Sequence, residues 1–158
     1  LKRRQKRGRK LVEVFKRELD LLIPDLEKAG VTLALENLPR LEGFPNAEEG
    51  EALMRDYAGA PVGLWFDTGH ARVRECHLWS SPATEIATRM ESFIKGMHLN
   101  DVKDFHDDHR QPGWGGVDFA ALKPLANRDV LRVFEPHRPV SFEELAESLK
   151  MIRKLWAE

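Results

Sequence analysis

Four apolar runs, each ending on an acid or an imidazole, recur along this chain at a nearly constant interval. They are VTLALEN with Glu36, VGLWFDTGH with Asp67 and His70, IKGMHLND with His98, and LRVFEPH with Glu135. The steps Glu36 to Asp67, Asp67 to His98 and His98 to Glu135 are 31, 31 and 37 residues. A parallel strand-helix unit needs about 30 residues, since eight of them make a barrel of about 250. The spacing therefore predicts that each polar group falls at the same place in successive units, the C-terminal end of a parallel strand. In a parallel barrel that rim gathers side chains from several strands into one site.

The segments between the runs fit this reading. Leu11, Phe15, Leu19, Leu22 and Leu26 recur at helical steps, which predicts an amphipathic helix over about 10–29. Pro24 is expected to kink or split it, and Gly30 to cap its C-terminus. LPRLEGFPNA reads as a long loop after the first strand, followed by a short helix over about 47–57. Ser81 and Pro82 carry the start signal of another helix. A polar loop spans about 102–116 and ends in the glycines of PGWGG. VDFAALKPLAN is a short helix, and the last helix opens on a Ser141-x-x-Glu144 capping box. One helix followed by four strand-helix units argues for an α/β chain with a parallel sheet.

Composition narrows the function. The chain is 42% hydrophobic, enough for a real core. No apolar run approaches the roughly 20 residues needed to cross a bilayer. The single cysteine, Cys76, excludes an internal disulfide framework, and with no leader-like run at the start it points to a reducing, cytoplasmic setting. Cys76 itself is expected to be a small buried residue. The net charge of -1 hides an asymmetry: residues 1–10 carry seven basic side chains and no acid, and the remainder carries -8. Residues 1–10 are expected to be a solvated lead-in to a domain spanning 11–158. An acidic body is a poor general ligand for phosphate backbones, so nucleic acid is not the expected partner.

Glu36, Asp67, His98 and Glu135, with His70, form a mixed oxygen and nitrogen set suited to a divalent cation such as Mn, Mg, Co or Zn. A single Glu at a strand end is ordinarily solvated, and a single His is ordinarily a packing residue. Four in register are harder to explain that way, because apolar strands have no packing use for charge. Glu36 and Glu135, on the first and fourth strands, would flank a bound hydroxy-ketone and move a proton off one face and onto the other. A metal would bridge two substrate oxygens and stabilise an enediolate.

The motifs ENLPRLEG, FDTGH, HLND, DDHRQPGWGGVDF and FEPH resemble the xylose isomerase-like barrel superfamily, which holds sugar isomerases and epimerases and the endonuclease IV type of DNA repair enzyme. The resemblance begins at about Lys10 and corresponds to the second half of that barrel. It implies that Glu36, Asp67, His98 and Glu135 match the metal ligands of ketose epimerases, with Glu36 and Glu135 also acting as acid and base. By the same pattern His70 and Glu42 hold substrate hydroxyls, and Asp107 and His109 are additional metal or substrate contacts. The substrate class implied is a small sugar or sugar phosphate. The resemblance also admits a phosphodiesterase at abasic DNA sites, with a zinc cluster, and a non-catalytic metal-binding fragment.

One departure from the family stands out. An arginine that some ketose epimerases place six residues after the third ligand falls on Asp104. Trp114 is expected either to stack on a sugar or to pack on its loop, and His106 and His137 to be exposed or locally bonded. Four strands cannot close a barrel of this size, so a half-barrel is expected. Its complement would be a missing N-terminal half-barrel or a second copy.

Overall fold

The computed structural model describes residues 2–106, 109–126 and 129–157. Helix α1 (Lys2–Ala29) leads into β1 (Leu33–Glu36), α2 (Ala47–Asp56), β2 (Val62–Asp67), α3 (Thr68–Cys76) and α4 (Ala83–Arg89). A short 3-10 turn (Glu91–Phe93) precedes β3 (Ile94–His98), then α5 (Lys123–Ala126), β4 (Leu131–Val133) and α6 (Phe142–Trp156). The four strands form one parallel sheet in chain order, β1-β2-β3-β4. Four strands is half the number of an eight-stranded barrel.

Strand alternation divides the work of β2. Leu64 and Phe66 join the core with Leu53 and Met54 of α2, Ile86 and Ala87 of α4, and Met90 at the C-cap of α4. Trp65 and Asp67 take the other face. A bulge after Leu64 sets the final register with β3, pairing Trp65 with Gly96 and Asp67 with His98. Glu36 lies opposite Trp65, and His98 lies opposite Val133. Asp67 is two residues beyond Trp65 and Glu135 two beyond Val133, and an even offset preserves the face. The ladder thus puts all four strand-end groups on one side of the sheet.

β1 and β4 are the sheet edges. Leu131 and Val133 of β4 are 67% and 41% exposed, and Leu21 of α1 is 72% exposed. No helix among the described residues is long and apolar enough to cross a membrane.

Several local expectations hold. Gly30, at φ +65, ends α1 with paired bonds from Gly30 N–H to the Glu27 carbonyl and Val31 N–H to that of Leu26, the arrangement that satisfies last-turn carbonyls. The Ser141–Glu144 capping box is present, and α2 has a second one between Asn46 and Glu49. Others need correction. Pro24 does not split α1; fully buried Leu19 and partly buried Ile23 hold the helix on the core across the missing bond. Ser81 is not the cap of α4. That helix begins after Pro82, and the Ala83 N–H is taken by Glu75 Oε2 at 3.1 Å. The helix expected over 117–127 contracts to Lys123–Ala126 after a series of turns, and Cys76 is half-buried rather than buried.

Helix α1 runs through the basic segment from Lys2. Arg4 explains how a helix with so many like charges is held. Its guanidinium makes a bidentate pair with Glu49 at 2.6 and 2.7 Å and donates to the carbonyls of Leu41 and Gly43. The paired side chains are only 9% and 14% exposed.

Burial alone would raise the Glu49 pKa, but hydrogen bonds from Arg4 and the Asn46 N–H outweigh it and hold the group below its ordinary 4.5. A carboxylate depressed in this way contributes stability above its unfolded pKa, and the contribution fades as pH falls through the folded value. Glu49→Gln is expected to lower stability at neutral pH by about 1–3 kcal/mol and to flatten the loss below pH 4.5. Urea unfolding of both proteins at neutral pH and across the acid range checks this.

Candidate active site

Each strand end delivers its group by a different local device. Asp67 is the last residue of β2 and the N-cap of α3; its Oδ1 accepts the His70 N–H at 2.8 Å. The Asn37 side chain clasps the Asp67 backbone from the end of β1, donating to its carbonyl at 2.9 Å and accepting from its N–H at 2.8 Å. The Asn37 carbonyl faces His70 Nδ1 at 2.8 Å. A carbonyl can only accept, so Nδ1 carries the proton. Thr68, fully buried, donates to the carbonyl of Asn100 at 2.6 Å and holds β3 against the start of α3.

His98 is the hub of the cluster. Its Nδ1 lies 3.0 Å from Glu36 Oε1, 3.3 Å from Glu135 Oε2 and 3.5 Å from Asp67 Oδ2. One donor atom from each of Glu36, Asp67, His98 and Glu135 falls within 4.8 Å of the others. Two ligands on opposite sides of an ion at about 2.1 Å would be about 4.2 Å apart, so a divalent cation fits with shifts of a few tenths of an ångström. Three carboxylates and one imidazole also give the charge that such an ion needs.

Exposure is graded across the four groups. The Asp67 side chain is fully buried and that of His98 is 17% exposed, whereas those of Glu36 and Glu135 are 33% and 43% exposed. Burial chiefly pushes the Asp67 pKa up, with Glu36 adding to the rise, while the nearby His70 and His109 pull it back. The two open glutamates are the ones a bound molecule would meet.

His109 joins the cluster, its Nδ1 3.4 Å from Glu135 Oε2 and its ring 5.3 Å from that of His70. His137 is exposed and stacks on His109 at 4.0 Å, and His106 is exposed beside Asp104. Glu42 is exposed and lines an open cavity of about 330 Å³ with Arg3, Arg4 and Arg7. Trp114 is 39% exposed, with one face covered by the Arg110 guanidinium at 4.6 Å. Asp107 lies outside the described residues.

Asn37, Thr68, Asn100 and Asp101 lie inside the quoted motifs, but the sequence reading gave them no role. Beneath the cluster lies Trp65, whose ring packs edge-on to His98 at 5.1 Å. Gly96 makes that possible, because a Cβ there would collide with the indole.

Compared with known protein families, the chain matches the profile described as Xylose isomerase-like TIM barrel over residues 3–155. The chain belongs to this family. Solved structures of similar fold include a D-tagatose 3-epimerase-like protein, at 20% identity and TM-score 0.67, with 87% of this chain and 51% of that one covered. A Thermus thermophilus protein soaked with ZnCl2 is 25% identical at TM-score 0.65, with coverage of 98% and 55%. A 3-keto-D-glucoside 4-epimerase from E. coli is 18% identical at TM-score 0.67, with coverage of 90% and 53%. The chain thus spans about half the length of these three structures. Comparison with curated proteins gives no match.

Proposed function

We propose that this chain carries the metal-binding and acid-base half of a sugar isomerase or epimerase acting on a small sugar or sugar phosphate. The convergence of Glu36, Asp67, His98 and Glu135 within 4.8 Å carries the reading, and the epimerase names of several structures of the same fold support it. A divalent ion held there, Mn, Mg, Co or Zn, would polarise substrate oxygens beside the reacting carbon. Glu36 and Glu135 approach from the two edge strands. One removes the proton next to a carbonyl and the other returns a proton to the opposite face. His70 and Glu42 orient substrate hydroxyls, with Asp107 and His109 as further contacts. A complementary set of four strands, from an N-terminal half-barrel or a second copy, completes the pocket.

A second reading draws on His109, which meets both Glu135 and the His70 ring. Such a grouping suits a multi-zinc phosphodiesterase at abasic DNA sites. Metal analysis and turnover on both substrate classes decide between the two. A single bound ion, with deuterium from solvent entering a ketose next to its carbonyl, is the expected result. Several zinc ions with cleavage of abasic DNA alone would replace the first reading by the second. A protein that binds no ion would overturn both.

A further inference from the structure

We infer that Asn100 positions Asp67 for a bound cation and ties that ligand to His109. This rests on the reading that the four-group cluster holds a divalent ion. Asn100 is 1% exposed. Its backbone N–H donates to Thr68 Oγ1 at 3.0 Å, which fixes the residue just beyond β3. Its side-chain Nδ2 donates to Asp67 Oδ2 at 2.8 Å and lies 3.1 Å from His109 Nδ1.

The two oxygens of Asp67 are therefore held from two directions, Oδ1 by the His70 N–H and Oδ2 by Asn100. That fixes the plane of the carboxylate. Oδ2 is also the oxygen that faces His98 Nδ1 at 3.5 Å. The amide thus sets the orientation of the atom that would meet the ion.

The other end of the amide shows what this orientation costs. Asn100 Oδ1 is buried with no hydrogen-bond partner. Turning the amide over would set its oxygen against a carboxylate oxygen, a repulsive contact. The chain keeps the donor on Asp67 and leaves the acceptor orphaned, at a penalty of about 1–3 kcal/mol. A residue serving packing alone would have no reason to carry that penalty.

The link to His109 is conditional on its tautomer. His109 Nδ1 also faces the Glu135 carbonyl at 3.2 Å. It can accept from Asn100 or donate to Glu135, but a neutral ring does one of these at a time. Asn100 accordingly couples the state of the His109 ring to a ligand on the neighbouring strand.

Calorimetric titration with Co²⁺ tests the inference in four proteins: wild type, Asn100→Ala, Asp67→Ala and the double variant. Loss of a hydrogen bond to a metal ligand typically weakens affinity about 10–100-fold, and Asn100→Ala is expected to fall in that range. Because the effect runs through Asp67, it is expected to vanish in the Asp67→Ala background. Asn100→Ser keeps a shorter donor, is expected to bind between wild type and Asn100→Ala, and serves as the second variant if alanine impairs folding by circular dichroism. The visible absorption of bound Co²⁺, which reports ligand geometry, is expected to change in both Asn100 variants. Tight wild-type binding with unchanged affinity in the Asn100 variants would overturn this inference alone, as would an equal loss in the Asp67→Ala background. Absence of wild-type binding would overturn the cation reading, and the inference with it.

Discussion

Glu36→Gln and Glu135→Gln are each expected to slow sugar turnover by about 100- to 10,000-fold, the range that positioned acid-base groups supply. The two glutamates come from opposite edges of the sheet, and both lie within 3.3 Å of the His98 ring nitrogen. They are more open to solvent than Asp67 or His98, so a bound sugar would meet them first. Glutamine keeps the shape and one neutral oxygen for an ion but cannot take up a proton. The expected split is informative: each variant retains solvent deuterium exchange into one epimer and loses it for the other, since in the proposed mechanism each glutamate serves one face. Following isotope entry into both epimers by NMR makes the comparison. If both variants kept turnover within a few-fold of wild type, the acid-base assignment would be wrong.

The largest loss of stability outside the hydrophobic core is expected at Asp101. Its side chain is nearly fully buried and accepts four backbone N–H groups. Oδ1 takes those of Val102 and Val117, and Oδ2 takes those of Gly113 and Gly115. The loop from Gly113 to Val117 is thereby folded around one carboxylate. Gly113 has φ +93, and a Cβ at Gly115 would collide with the Val102 carbonyl, so glycine is what permits the wrap. Asp101→Ala would leave these donors without their acceptor in a confined space, and a loss of about 3–5 kcal/mol is expected. Asp101→Asn retains one acceptor oxygen but turns an N–H₂ toward backbone donors, and an intermediate loss is expected. Urea denaturation of both variants checks the order. A loss below about 1 kcal/mol for alanine would mean that water replaces the carboxylate at no net cost.

The parts legible in the sequence are those governed by local pattern or repeated spacing. Four apolar runs at a period of about 30 residues pointed to the strands, and polar groups at their ends pointed to the cluster, because a parallel ladder transmits one spacing from unit to unit. Helix α3 was not legible. It starts on the cluster residue Asp67, which caps it, and its sequence TGHARVREC carries no clear apolar face. The start of α1 was hidden for a related reason. A run of basic residues looks like a solvated arm until Glu49, 45 residues away, is seen to pair with Arg4.

The supporting residues were hidden most completely. Asn37 finds its partner 30 residues away, Thr68 at 32, and Asn100 finds Asp67 at 33. No local motif encodes such pairings. Asp101 lay in plain view in HLND, but its role depends on glycines 12 and 14 residues downstream. Groups that would touch an ion are conspicuous by chemical type. Groups that hold them still are ordinary amides and hydroxyls, identifiable only once the chain has folded.

The even register that keeps the four strand-end groups on one face of the sheet has a consequence for how such a chain can change. Insertion of one residue within β2 would turn Asp67 to the helix side and dismantle the cluster, whereas lengthening the segments after β1 or β3 would leave every strand end where it is. Backbone pairing fixes the address of the charge, and the excursions between strands decide which molecules reach it. The two can be edited separately, so one scaffold can acquire a new appetite without rebuilding its anchor.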